Sequence, residues 1–334
     1  SQMLPTVMGR ILEITEQESR DYDTVRAKEA TDQAVEKMKA PFEAVADLWT
    51  SAYFGNAFDR GDYDEALGVI GQRETLLGLG PVARAREMGE ERRFFHWELA
   101  FPEVFYDEVG QRLGEQAGFD AVVGNPPYQF GEQIPALAKP FLEAQFSLAQ
   151  NQYDTYWLFY ERVFQILRFT GLHGFIIPDA FLARDEVEVV REPLLEAFSI
   201  EQVAPVGAVF DDPNVSAVVL VWRKREPEAD HSFQIWRCEE QSLSLTQEYP
   251  QGVARTLPGR RLWVNLASQH LDFILRLLAS SSKMGEYVLL SRGEELGKND
   301  LLRDQQGQCE LVPILVGADI QPLGWAQPHH YVRR

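Results

Sequence analysis

The stretch FDAVVGNPPYQF, from Phe119 to Phe130, constrains the fold of this chain more than any other feature. Its first half is short, apolar and rich in valine, and a glycine follows it, so it predicts a buried strand of a parallel sheet. Pro126 and Pro127 then end the strand, because proline fixes φ at about −65° and donates no backbone N–H. The sequence therefore predicts a rigid polar loop at the carboxyl end of a strand, which is where α/β proteins hold their ligands.

Length and composition bound the class of protein. The chain has 334 residues, enough for two or three compact domains. It contains no uncharged apolar run of about 18 residues and no signal peptide, so we expect a cytoplasmic protein without a membrane segment. Cys238 and Cys309 are its only cysteines, and its six histidines are scattered. We therefore expect neither a disulfide framework nor a metal site.

The charge balance limits how the chain can bind nucleic acid. Its net charge is −19 and its isoelectric point is about 4.8. Electrostatic binding of many phosphates over a broad surface requires an excess of lysine and arginine, so the acidic balance argues against this mode of binding. A local basic groove remains compatible with it.

Residue patterns divide the chain into four predicted segments. Residues 1–93 have helical periodicity, with Pro41 as a first-turn residue, and predict a helical insertion. Residues 94–240 begin with alternating bulky residues, Phe94 to Phe105, which predict a strand or hairpin entering a sheet. Strands then alternate with helices, which indicates a parallel or mixed α/β sheet. The segment HSFQIWRC predicts an edge strand of that sheet. Residues 241–285 predict a helical connector, and residues 286–334 are rich in turns.

The tetrapeptide Asn125-Pro126-Pro127-Tyr128 fits one kind of chemistry. An exocyclic amine on an aromatic ring is a poor nucleophile, because its lone pair is delocalised into the ring. The side-chain oxygen of Asn125 and the backbone carbonyl of Pro126 can each accept a hydrogen bond from one N–H of the amine. These two bonds draw the nitrogen toward tetrahedral geometry and direct its lone pair at an electrophilic carbon. Rigid acceptors help because they do not reorganise as positive charge develops. Tyr128 can stack on the ring, which contributes about 1–3 kcal/mol per base.

More of the chain than the tetrapeptide resembles a known family. In order, FFHWELAFPEVF, GFDAVVGNPPY, YDTYWLFYERVFQIL, GLHGFIIPDAFL, VREPLL and AVFDDPNVSAVVLVWRK are similar to the catalytic domain of the gamma-class DNA adenine-N6 methyltransferases, particularly those of type IIG restriction–modification and phage-defence enzymes. The resemblance implies an α/β, partial Rossmann-like S-adenosylmethionine-dependent methyltransferase sheet. It implies that Asn125-Pro126-Pro127-Tyr128 is the catalytic motif, with S-adenosylmethionine beside Asn125 and Pro126. Phe210 matches the second aromatic, which stacks on the other face of a flipped base.

The resemblance also implies a DNA-recognition module. The segment SRGEELGKND is similar to the opening of the family's target-recognition domain, which makes double-stranded DNA the expected partner. Arg292, Lys298 and Asn299 are the candidate DNA-binding residues, because phosphate and base-edge contacts favour these side chains. The implied domains are a helical insertion (1–93), the second half of the catalytic domain (94–240), a helical connector (241–285) and the truncated start of the recognition domain (286–334).

One part of the family pattern is missing. The glycine-rich loop that normally holds the methyl donor does not occur before Asn125, so we expect this chain to be a fragment that is inactive alone. The strand from Phe119 to Val123 would then expose an apolar edge. We expect that edge to pair with the missing N-terminal half of the methyltransferase, to self-associate, or to lie under the helical insertion.

Three other functions remain open at this point. Protein glutamine methyltransferases share the Asn-Pro-Pro-Tyr motif and also methylate a planar nitrogen whose lone pair is delocalised. They need neither a second aromatic ring to stack on a base nor a DNA-recognition module. Phe210 and the segment SRGEELGKND therefore favour DNA over a protein substrate. An RNA adenine methyltransferase would bind a flipped base in a similar way. A non-catalytic subunit that binds DNA or a partner is the third alternative.

Overall fold

The structure is a computed structural model. It describes residues 3–16, 22–150, 152–209, 216–239, 242–282, 286–287, 311–314, 320–321, 324–325 and 330–333. The chain divides into two compact units, Ser1–Leu271 and Asp272–Arg334. The boundaries expected from sequence after residues 93, 240 and 285 remain predictions.

The described secondary structure comprises helices and strands in both units. The helices are α1 (Met3–Glu16), α2 (Tyr22–Ser51), α3 (Arg60–Gly68), α4 (Arg73–Gly78), α5 (Gly80–Arg92), α6 (Trp97–Ala100), α7 (Pro102–Phe105), α8 (Lys139–Gln145), α9 (Thr155–Ile166), α10 (Glu188–Ala197), α11 (Gln251–Thr256) and α12 (Ser268–Ser280). The strands are β1 (Phe119–Gly124), β2 (Leu167–Pro178), β3 (Ser199–Gly207), β4 (Ala217–Arg223), β5 (Ser232–Glu239), β6 (Ser242–Pro250), β7 (Leu311–Ile314), β8 (Ile320–Gln321), β9 (Gly324–Trp325) and β10 (His330–Arg333).

Six of these strands form one mixed sheet. Their order is β1-β2-β4-β3-β5-β6. β1 runs parallel to β2, whereas β4 runs antiparallel to both β2 and β3. β5 is parallel to β3 and antiparallel to β6. The α/β class predicted from sequence is therefore confirmed, but the prediction that HSFQIWRC forms an edge strand is wrong, because β6 pairs with its outer side. β6 itself lies in the segment 241–285 that was predicted as a helical connector, so that prediction is wrong for residues 242–250, which pair with the sheet.

Aromatic side chains from α9 pack against the centre of the sheet. Tyr160 is fully buried and lies against Phe175 of β2 and Trp222 of β4, with ring centroids 5.5 and 6.4 Å away. His173 of β2 is also fully buried among these rings. Burial lowers the pKa of His173 to about 3, because an apolar environment disfavours the charged imidazole. This histidine is a neutral core residue.

β1 is a strand, as predicted, but it is not buried as predicted. Among the described strands it hydrogen-bonds to β2 alone, so it lies at the edge of the sheet. The side chain of Val123 is 81% exposed. The start of the strand is covered, because Phe119 packs edge-on against Phe101 and Phe105. Before it, Gly118 has a φ of +128° and lies so close to β2 that a Cβ atom would approach the backbone of Arg168 to 2.5 Å.

The segment from Phe94 to Phe105 forms two short helices, so the predicted strand or hairpin is wrong. Bulky residues alternate here because Trp97 and Phe101 stack on each other while both contact Phe119. Pro102 occupies the first turn of α7, a position that suits its fixed φ and missing N–H. Tertiary packing of aromatic rings, rather than strand pairing, produced the alternation.

The amino-terminal residues are helical, as expected. α2 packs against α5 around a small core that includes Leu48, Leu76 and Val82. Pro41 lies inside the 30-residue helix α2 and not in a first turn as predicted. Asp59 caps α3: its side chain accepts from the N–H of Asp62, whose own carboxylate accepts from the N–H of Asp59. In the described residues, no helix combines the length and apolarity needed to cross a bilayer.

In the second unit, the described strands form two small antiparallel pairs. β7 pairs with β10, and β8 pairs with β9. Short strands of this kind are compatible with the turn-rich sequence of residues 286–334.

Candidate functional site

The Asn-Pro-Pro-Tyr loop begins where β1 ends. β1 stops at Gly124, and Asn125 follows it with an exposed side chain, whereas Pro126 is buried. Gly124 lies against Phe175 of β2, where a Cβ atom would approach the ring to 3.2 Å. The loop therefore lies at the carboxyl end of a strand, as the sequence predicted, and it presents the Asn125 amide to solvent.

Hydrogen bonds tie the loop to the start of α9. The hydroxyl of Thr155 donates to the carbonyl oxygen of Pro127 at 2.6 Å, and the N–H of Gln129 donates to the same hydroxyl at 3.1 Å. The N–H of Thr155 donates to the carbonyl of Gln129 at 2.8 Å, and the N–H of Gly131 donates to the carbonyl of Tyr153 at 2.8 Å. A side chain at Gly131 would collide with the Tyr153 ring, only 2.7 Å from an added Cβ atom. Glycine is therefore required for this close approach.

Tyr128 is held at the far end of its ring. Its hydroxyl donates to the carbonyl oxygen of Ile176 in β2 at 2.9 Å. The ring also meets the buried ring of Tyr156 edge-on, with centroids 6.4 Å apart. Burial raises the pKa of Tyr128, and the negative charge of Asp154 raises it further, so the phenol stays neutral. Tyr128 is thus a fixed, uncharged aromatic wall.

A cavity of about 670 Å³ opens beside Tyr128. This volume falls within the usual range for small-ligand pockets. The lining combines aromatic rings with several charged groups, of which Arg184 is the cation. The lining residues are Tyr128, Phe130, Gly131, Glu132, Gln152, Tyr153, Asp154, Tyr156, Trp157, Pro178, Asp179, Ala180, Arg184, Glu186, Val187 and Ser216.

Asp154 is the most perturbed acid of this cavity. The backbone of Asp154 forms an isolated antiparallel β-bridge with Phe130. The Oδ1 atom of Asp154 is buried without a hydrogen-bond partner among the described residues. Burial raises the pKa of Asp154 to about 6, although the nearby backbone N–H groups of Thr155 and Tyr156 and the charge of Arg184 lower it. A carboxyl group that titrates near neutral pH therefore borders the candidate site.

A buried arginine fixes the wall formed by residues 178–187. Arg191 of α10 is fully buried, and its guanidinium donates to the carbonyl oxygens of Phe181 at 2.6 Å and Arg184 at 2.7 Å. It also donates to the carbonyl of Gly259 at 2.6 and 3.1 Å. Burial lowers the pKa of Arg191 to about 10, which leaves it charged at neutral pH. The cavity wall is thereby attached to the segment after α11.

The structure describes some of the predicted site residues and not others. Asn125, Pro126, Pro127 and Tyr128 form one continuous loop at the end of β1, next to the cavity. Phe210 lies outside the described residues, although Ser216, on the far side of that gap, lines the cavity. The predicted DNA-binding residues Arg292, Lys298 and Asn299 also lie outside the described residues.

The sequence-based prediction missed the residues that hold the loop. Thr155 of α9 and Ile176 of β2 contact it, and Asp154 pairs with Phe130 just after it, but none of these residues was singled out. The pair Asp154-Thr155 before an apolar run is a signal for the start of a helix, and α9 does start there. That signal gives no information about the tertiary contact with Pro127.

Comparison with known proteins gives a family match across the site. The model of a family described as "Eco57I restriction-modification methylase" matches residues 27–210, which is more than half of the chain. Among curated proteins, the chain is 29% identical over 179 residues to the type II restriction enzyme and methyltransferase RM.Eco57I of Escherichia coli, covering 51% of this chain and 18% of that protein. It is 24% identical over 221 residues to the type II methyltransferase M.TthHB8I of Thermus thermophilus, covering 62% of this chain and 48% of that protein. The chain thus spans less than half the length of either relative.

Solved structures give weaker similarities. The type IIG restriction endonuclease BpuSI matches with a TM-score of 0.34 and 14% identity, over 59% of this chain and 25% of that chain. The M protein of the type I restriction enzyme EcoKI matches with a TM-score of 0.29 and 12% identity, over 36% of this chain and 25% of that chain.

Proposed function

Because this chain belongs to the Eco57I restriction-modification methylase family, we propose that it carries the acceptor-base half of a site-specific, gamma-class DNA adenine-N6 methyltransferase of the restriction–modification or phage-defence type. The observation that carries the proposal is the loop Asn125–Tyr128: the two oxygen acceptors, on Asn125 and Pro126, directly follow a strand, and Tyr128 at the end of the loop lines a cavity with aromatic walls.

The loop residues have distinct roles in this proposal. The side-chain oxygen of Asn125 and the carbonyl oxygen of Pro126 accept the two N–H groups of the adenine amine, which frees its lone pair for attack. Positive charge that develops on the nitrogen is stabilised by the same two dipoles. Tyr128 stacks on the purine ring, and its bond to Ile176 keeps the ring from turning away. Pro127 fixes the backbone between the acceptors and the stacking ring.

The methyl donor of the proposed reaction is S-adenosylmethionine, which supplies an electrophilic methyl group. Asn125 and Pro126 are the residues of this chain that would border it. They do not enclose it: Asn125 is exposed and does not line the cavity beside Tyr128, and β1 pairs with β2 alone in the described part of the chain. We propose that other donor contacts come from a segment that pairs with the open side of β1.

DNA is the proposed substrate. A duplex hides the adenine amine, so the base must flip out of the stack to reach the loop. In this proposal Phe210 stacks on the second face of the base, and Arg292, Lys298 and Asn299 contact the DNA. The proposed start of the recognition domain is the one expected from sequence, residue 286, whereas the proposed catalytic domain extends past residue 240 to include β6. The open edge of β1 supports pairing with the amino-terminal half of the catalytic domain, or self-association, because unpaired backbone groups attract another strand.

The experiment is methyl transfer by the complete enzyme from labelled S-adenosylmethionine to double-stranded DNA, followed by analysis of the modified nucleoside. We expect N6-methyladenine, and a loss of roughly a thousandfold in rate for Asn125→Ala, since removing one preorganised dipole costs about 10²–10³ in kcat. The matched control is Asn265→Ala, an exposed asparagine away from the loop. Label in protein glutamine or in RNA instead of DNA would support those alternatives, and no transfer to any of the three would support a non-catalytic role.

A further inference from the structure

We propose that Thr155 is a positioning residue for methyl transfer: its hydroxyl fixes the peptide groups on both sides of Tyr128. This inference rests on the proposed function, because it names the residue that holds the acceptor loop in its working geometry. Thr155 does not touch the base in this proposal; it acts through the loop.

The contacts that support this role surround Tyr128. The Thr155 hydroxyl donates to the carbonyl oxygen of Pro127, which precedes Tyr128, at 2.6 Å. It accepts from the N–H of Gln129, which follows Tyr128, at 3.1 Å. The backbone N–H of Thr155 adds a third bond, to the carbonyl of Gln129, at 2.8 Å. One residue thus binds three backbone groups that flank the stacking ring.

The loop needs an external partner because its own sequence removes the usual ones. Pro126 and Pro127 have no N–H, so they cannot form the backbone bonds that normally close a turn. A hydroxyl is suited to the position because it donates and accepts at the same time. Thr155 is only 8% exposed, so water does not compete freely for the hydroxyl. Since Thr155 is the first residue of α9, the loop is attached to a buried helix.

Fixing these peptides fixes the Tyr128 ring at both ends. Its backbone is held by Thr155, and its hydroxyl is held by the carbonyl of Ile176 at 2.9 Å. The ring plane then defines where a base can stack relative to Asn125. Catalytic groups misplaced by about 1 Å can cost 10²-fold in rate, so losing the anchor should affect the chemical step more than donor binding.

The test compares Thr155→Val, which keeps the shape and removes the hydroxyl, with Thr155→Ser, which keeps the hydroxyl. In the complete enzyme we expect Thr155→Val to lower kcat for methyl transfer roughly 10–100-fold, with little change in the KM for S-adenosylmethionine, and Thr155→Ser to restore most of the rate. The matched control is Thr256→Val, an exposed threonine whose hydroxyl donates to Val253 at 2.8 Å. This control should keep the wild-type kcat.

Amide hydrogen exchange supplies a readout that does not depend on activity. In Thr155→Val the Gln129 amide should exchange faster, whereas the Gly131 amide, bonded to Tyr153, and the amides of β2 should keep their protection. Wild-type kcat in Thr155→Val would overturn the inference, as would faster exchange throughout β2, since that result indicates general destabilisation. If the wild-type enzyme itself transfers no methyl group to DNA, the proposed function fails; if it does and Thr155→Val matches it, only the role of Thr155 fails.

Discussion

β1 and β4 both pair with β2, yet their surroundings differ sharply. β4 has a strand on each side, and Val218, Leu220 and Trp222 are fully buried. β1 has a described neighbour on one side only, and Val123 near its end is 81% exposed. The loop with the proposed catalytic residues follows the less supported of the two strands. The core beyond β2 therefore stabilises the fold, whereas the loop depends on individual hydrogen bonds from α9 and β2.

The largest contrast in unfolding free energy should appear between alanine substitutions in the two strands. Leu220→Ala should lower the free energy of unfolding by about 2–5 kcal/mol, because it leaves a cavity in a packed core. Val123→Ala should change it by less than about 0.5 kcal/mol, because that side chain is already in water. Urea denaturation of the two variants measures both values. Similar losses would show that β1 is packed against something in solution.

Acid should destabilise the buried face through His173. Its pKa of about 3 in the folded chain is below the ordinary value of 6.5, so the unfolded chain takes up the proton first. The contribution of neutral His173 to the stability of the fold is complete above about pH 6.5 and is lost as the pH falls toward 3. Well below pH 6.5 each pH unit costs about 1.4 kcal/mol, so the loss from pH 6.5 to 4.5 is roughly 2–3 kcal/mol.

Replacement of this histidine gives the control for the acid effect. His173→Phe should flatten the dependence of unfolding free energy on pH between 6.5 and 4.5, whereas replacement of the exposed His270 by glutamine should not. An unchanged slope in His173→Phe would mean that the ring is hydrated in the folded protein.

A smaller effect of the opposite sign is expected at the cavity. The pKa of Asp154, raised to about 6 from 3.8, means that the folded chain holds this proton at higher pH than the unfolded chain does. Its contribution to stability is complete below about pH 4 and is lost as the pH rises through 6. Asp154→Asn should therefore stabilise the protein at pH 7 by roughly 1–2 kcal/mol, less than the full shift implies because the group is partly exposed.

The matched comparison for Asp154 is Asp230→Asn, an exposed carboxylate. Thermal unfolding at pH 4 and pH 7 should show a gain at pH 7 only for Asp154→Asn. An equal gain at both pH values would indicate that the Asp154 carboxyl is not desolvated in the fold.

The smallest effect on stability is expected from charging the open edge. Val123→Lys should leave the unfolding free energy within about 0.5 kcal/mol of wild type, while it weakens association through β1, because a lysine on an edge strand opposes pairing. Sedimentation velocity over a range of concentrations measures the association. Unchanged self-association in the variant would place the contact elsewhere on the molecule.

The same contrast explains which predictions from sequence succeeded. β1, its proline-rich loop and the amino-terminal helices follow from local patterns, because strand length, proline and helical periodicity act over a few residues. The hold of Thr155 on Pro127 joins residues 28 positions apart and has no local signature. The segment from Phe94 to Phe105 was predicted as a strand because its alternation arises from ring packing against Phe119. HSFQIWRC was likewise predicted as an edge strand because its own sequence does not show that β6 pairs with its outer side.

We propose that this chain carries the acceptor loop and that a segment paired with the open edge of β1 holds the donor. Calorimetric titration of S-adenosylmethionine into the chain alone, and then into the complete enzyme, tests this claim most directly. We predict no detectable heat for the chain alone and micromolar binding by the complete enzyme. Micromolar binding by the chain alone would contradict the claim, because the donor site would then be complete without a partner for β1.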